Sequence, residues 1–126
     1  MSLAKMTQIV EKLISATNKG RINWEEAEVE DVFQVSYSTY SIRIAETPSV
    51  TDPGPDTFDI VISIYNKEGK RIESVNDVQL KDAITNAYLQ MKELYDSAKG
   101  YALGTEQTLD SIITDLSEAG PEDIPF

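Results

Sequence analysis

Apolar residues in MTQIVEKLISATN (6–18) fall at Met6, Ile9, Val10, Leu13, Ile14 and Ala16. Steps of three and four residues predict an amphipathic helix with a wide apolar stripe, and Gly20 follows as a left-handed cap. The period then changes. Four stretches alternate: VFQVSYS with Phe33, Val35 and Tyr37 on one face, YSIRIAE with Tyr40, Ile42 and Ile44, FDIVISIYN with Phe58, Ile60, Ile62 and Ile64, and the shorter KRIESVN. Alternation of this kind marks strands with one buried face. It sends Asp59 to the outer face, where Arg43 of the neighbouring strand is a candidate cross-strand partner. Asn66–Gly69 reads as a tight hairpin turn, and TPSVTDPGPDT (47–57) as a mobile surface loop broken by three prolines and a glycine.

After the strands the helical period returns. Asp77 is placed to cap a long helix whose apolar positions run from Leu80 through Ala83, Ile84, Ala87, Tyr88, Met91, Leu94 and Tyr95 to Ala102. Gly104 stops it, and Thr105 opens a short helix with the stripe Leu109, Ile112, Ile113 and Leu116. The acidic tail 118–126 has no periodicity and is expected to be loose, and the opening MSLAK reads as an expression scar ahead of Met6. The whole predicts one α+β domain: an N-terminal helix, a four-stranded antiparallel meander, then a long and a short C-terminal helix packed on one sheet face.

Composition narrows the chemistry. The 126 residues include no histidine and no cysteine. That removes Ser–His–Asp and Cys–His catalysis, thiolate metal sites and disulfides. Carboxylate, tyrosine or lysine chemistry and an oxygen-ligated cation site stay open. Twenty-two acids against eleven bases give a formal charge of −11, which disfavours binding to nucleic acid or to an anionic membrane surface. No apolar run reaches the roughly 18 residues of a membrane helix. The expectation is an acidic cytoplasmic protein with no cofactor. Six of the acids, and no base, lie in residues 105–126.

Two features invite a functional reading. Trp24, the single tryptophan, is followed by Glu25, Glu26, Glu28, Glu30 and Asp31. Trp24 suits the core or a lid over it, with a ligand-stacking platform as the alternative. The acids suit a solvated loop better than a cation site, since they lack the spacing and the glycine of a calcium loop. The strand beside them, VFQVSYSTYS, carries no charge over ten residues, and an uncharged sheet edge invites pairing with another chain unless a loop or helix covers it. Trp24, Glu25, Glu26, Glu28, Phe33, Val35 and Tyr37 therefore form the candidate interaction surface, for a protein partner or for self-association. The repeated Tyr-x-x-x-Lys of YLQMK (88–92) and YDSAK (95–99) has the spacing of a short-chain dehydrogenase pair, but no glycine-rich nucleotide fingerprint accompanies it.

The segments TNKGRINW, YSIRI, YNKEGKRI, LYDSAKGYALG and LDSIITDL, in this order, resemble a widespread group of small uncharacterised bacterial single-domain proteins. The resemblance spans residues 6–117. It implies the architecture given above and no activity. Two functional expectations follow from the residues. The first is a non-enzymatic acidic protein-interaction module, including an inhibitor or immunity-like role. The alternative is a small-molecule binder or small enzyme using Tyr, Asp or Glu in a pocket between sheet and helices.

Overall fold

The computed structural model describes residues 3–49, 54 and 57–119. Of the predicted loop 47–57, residues 50–53, 55 and 56 lie outside the described residues, while Thr47 and Pro48 extend a strand by pairing with Asp59 and Phe58. Of the predicted tail 118–126, residues 120–126 lie outside the described residues, while Glu118 and Ala119 still belong to a helix. Helix α1 spans Leu3–Asn18. Strands β1 (Glu25–Glu26), β2 (Val32–Ser36), β3 (Tyr40–Pro48), β4 (Phe58–Asn66) and β5 (Arg71–Asn76) follow, then α2 (Ala87–Leu103) and α3 (Thr105–Ala119). The strands pair in sequence order, each antiparallel to the next.

The expected α+β class holds, and the meander has five strands rather than four. Glu25 and Glu26 pair with Gln34 and Phe33, so a two-residue strand covers part of the β2 edge, which the sequence left either open or covered. The chain reverses through Asp31, whose φ of 63° is left-handed. This turn sits over the body because the Tyr95 hydroxyl donates to the Asp31 carbonyl at 2.8 Å.

α1 ends in a Schellman motif. Gly20, at φ 68°, donates to the Thr17 carbonyl and Arg21 to the Ala16 carbonyl. α1 buries Met6, Val10 and Leu13, and α2 buries Met91, Leu94, Tyr95 and Ala98. Against these the sheet places Phe33, Val35, Ile42, Ile44, Ile60, Ile62 and Val75 on its inner face, all buried. Phe33 and Tyr95 meet with ring centroids 5.6 Å apart.

The predicted long helix starts later than its apolar pattern. Residues 77–86 form successive turns, though Leu80 and Ile84 still reach the core. Asp77 does not cap a helix. It is buried, and its Oδ1 accepts the Ile60 N–H at 2.8 Å while its own N–H donates to the Ile60 carbonyl. Asn76 and Gln79 exchange side chain-to-backbone bonds at 2.9 and 3.0 Å, a reciprocal box that opens the turns instead. Asn86, left-handed at φ 53°, separates them from α2.

The placement of the short helix also differs. Every described side chain from Thr105 to Glu118 is exposed, so α3 stands off the sheet face to which it was assigned. Gly104, left-handed at φ 65°, ends α2 with its N–H on the Gly100 and Tyr101 carbonyls and sets the new direction.

Candidate functional site

The outer sheet face carries a polar network centred on Arg43. Its Nη2 donates to both Glu28 carboxylate oxygens at 2.8 and 2.9 Å, and its Nε donates to Gln34 Oε1 at 3.1 Å. Gln34 in turn donates to Glu25. The Arg43 guanidinium also lies 4.8 Å from the Tyr65 ring centroid. The pKa of Glu28 is held below the usual value by a backbone hydrogen bond, with help from Arg43. The partner suggested for Arg43 from sequence, Asp59, sits instead across from Thr47. Asp59 lies on the outer face by alternation, yet it is only 5% exposed.

The acids of 25–31 are therefore divided by the β1–β2 turn. Glu28 goes to the outer face, and Asp31 turns toward α2, where Lys99 approaches to 3.9 Å. Among the described residues no three Asp or Glu side chains converge in a group able to hold a metal ion. The Tyr-x-x-x-Lys pairs also resolve into structure. Lys92 bridges Glu46 and Asp96, each at 3.0 Å. Burial disfavours the Lys92 ammonium, but hydrogen bonds to Asp96 and Glu46 outweigh it and raise the pKa. Dehydrogenase chemistry needs a tyrosine made more acidic. Tyr95 is the reverse: burial first, then the nearby Glu46 and Asp31 charges, push it up to about 12.

Of the candidate interaction residues, Trp24, Phe33 and Val35 are core. Trp24 packs inside with its indole N–H donated to Thr17 Oγ1 at 3.0 Å, the core position its size suits, and so it drops out of the candidate interaction surface. Glu25, Glu26 and Glu28 are exposed on the β1 side. Tyr37 is exposed as well, but it belongs to a different feature.

That feature is an apolar groove of about 560 Å³ at the hairpin end of the sheet. Ile9, Lys12, Leu13 and Ala16 of α1 form one wall, and Tyr37, Tyr40, Ile42, Ile64 and Ile72 the other. Arg21 and Ile22, from the link after α1, complete it. The volume is in the range of small-molecule sites, roughly 300–1,000 Å³. Tyr37 and Tyr40 stack with centroids 4.9 Å apart across the β2–β3 turn, which the Tyr37 N–H closes onto the Tyr40 carbonyl. Ile72 is the extra residue of a bulge: Ile64 pairs with Glu73 and Tyr65 with Arg71. Bulges redirect a side chain, and Ile72, 60% exposed, lines the groove.

Lys12 and Arg21 are the groove's charged residues. Among the described residues neither belongs to an ion pair. The sequence reading did not find this groove. The available signals were the stripe residues of α1 beyond its core positions and Ile72, an isoleucine set between the charged Arg71 and Glu73.

Comparison with protein-family models, with curated proteins and with solved structures gives no match. The candidate site is therefore read from its own chemistry. No helix among the described residues is long and apolar enough to cross a membrane.

Proposed function

We propose that this protein is a non-enzymatic protein-interaction module whose contact surface is the groove beside α1. The observation that carries the reading is an open apolar trough with two cations, and no carboxylate, among its lining residues. A surface of this kind receives the apolar face of a helix and places its flanking acids near Lys12 and Arg21. The β2–β3 turn contributes through Tyr37 and Tyr40, and the backbone edge of β2 takes no part. The alternative of a small-molecule pocket worked by Tyr, Asp or Glu finds Tyr37 and Tyr40 in this groove but no carboxylate, so it has less support.

Isotope-labelled protein titrated with designed amphipathic peptides tests the reading. A peptide with apolar residues at i, i+3, i+4 and i+7 and acidic flanks is expected to shift the Tyr37, Tyr40 and Ile72 resonances. The same peptide with lysine flanks is expected to bind more weakly. Absence of any shift with either peptide, together with groove shifts from a small metabolite, would overturn the proposal.

A further inference from the structure

α3 is a 15-residue amphipathic helix without a tertiary seat. Leu109, Ile112, Ile113 and Leu116 form one stripe and are between 46% and 63% exposed. Isolated helices shorter than about 12–15 residues are marginal in water, and protein helices gain most of their stability by burying such a face. The same chain leaves an apolar groove open. Both surfaces are unfilled in one and the same fold.

They also match. The α1 wall of the groove presents Ile9, Lys12, Leu13 and Ala16, and α3 presents Leu109, Ile112, Ile113 and Leu116. Both sets run at i, i+3, i+4 and i+7, so each covers about 10 Å of helix at about 1.5 Å per residue. The charges are opposite. α3 carries Glu106, Asp110, Asp115 and Glu118 and no base, while Lys12 and Arg21 lie at the groove without ion partners among the described residues. Gly104 holds α3 in a direction that leaves its own groove empty.

We infer that α3 of one chain lies along α1 in the groove of a second copy, and that two copies exchange these helices reciprocally. A two-fold arrangement uses each complementary pair twice, so the closed dimer leaves neither surface exposed. This deepens the proposed function by naming the partner helix, and it rests on the groove being a helix-docking surface.

Sedimentation of the full chain over a concentration series tests the inference, with two variants that alter only exposed positions. Ile112→Asp/Leu116→Asp removes the stripe, and Lys12→Glu/Arg21→Glu reverses the groove charges. The wild type is expected to be a dimer. The stripe variant is expected to be monomeric, and the groove variant to dissociate about tenfold more readily or worse. Mixing the two variants restores one of the two interfaces and is expected to give a heterodimer. Unchanged far-ultraviolet circular dichroism from the body of the fold confirms that each variant is folded.

Three results would overturn the inference: a monomeric wild type, a dimer indifferent to both variants, or a monomer whose α3 amides are protected in its own groove. A monomeric wild type whose groove still binds the designed acidic peptide would remove the exchanged dimer and leave the docking function standing. A groove that binds neither would remove both.

Discussion

Tyr95 shows how one side chain is held by its surroundings. Its ring lies in the core against Phe33, and its hydroxyl reaches out to fix the Asp31 carbonyl in a left-handed turn. Phenylalanine at this position keeps the packing and loses the hydrogen bond. Tyr95→Phe is expected to lower stability by about 1 kcal/mol in denaturant melts. The pH dependence follows from the raised pKa. An unfolded tyrosine ionises near its ordinary value of 10.0, whereas the folded one holds its proton up to about 12. Between these values the folded state binds the extra proton. The contribution is complete below pH 10 and is lost as pH rises toward 12. Stability of the wild type is therefore expected to fall across that window, and the Phe variant to fall less steeply. Equal slopes would show that Tyr95 does not govern the alkaline limb. The Tyr-x-x-x-Lys spacing was visible in the sequence, but the roles were not, because they depend on which acids the fold brings to each lysine.

The elements were legible where one face is buried and periodic. β4 follows from its apolar stripe residue for residue; α1 begins earlier than its stripe, at Leu3 within the segment read as an expression scar, and β3 runs past its stripe to Pro48. The misjudged boundaries have specific causes. β1 is two glutamates, with no apolar alternation to announce it, and it forms because the Asp31 turn returns the chain beside β2. The start of α2 was placed too early because Leu80 and Ile84 fit its stripe and reach the core from turns. Asp77 looked like a cap because a carboxylate can satisfy any backbone N–H, and here it satisfies that of Ile60. The groove was hidden because the bulge at Ile72 breaks alternation. Glycine assignments at the end of α2 can be tested directly. Gly100 has open space around an added Cβ, so Gly100→Ala is expected to stabilise the fold by about 0.5–1 kcal/mol. Gly104 sits at φ 65°, so Gly104→Ala is expected to cost about 1–2 kcal/mol. Chemical denaturation of both variants should give opposite signs. A matching sign would mean that the α2–α3 joint is not the left-handed cap described.

For the whole molecule, charge and apolar surface belong to one design. The chain carries −11, yet the charged groups lining its open apolar trough are two cations, and its one unseated helix carries four acids. The net charge by itself names neither a partner nor a place where one would bind. The proposed site is the groove at the hairpin end of the sheet, beside α1. Because the chain has no cysteine, single introduced cysteines report this contact cleanly. Ile72→Cys places one thiol in the groove and Ile112→Cys places one on the α3 stripe. When the two single-cysteine chains are mixed and mildly oxidised, the account predicts a disulfide-linked heterodimer in clear excess over either homodimer. Linked species in statistical proportion, or no link between the two chains, would contradict it.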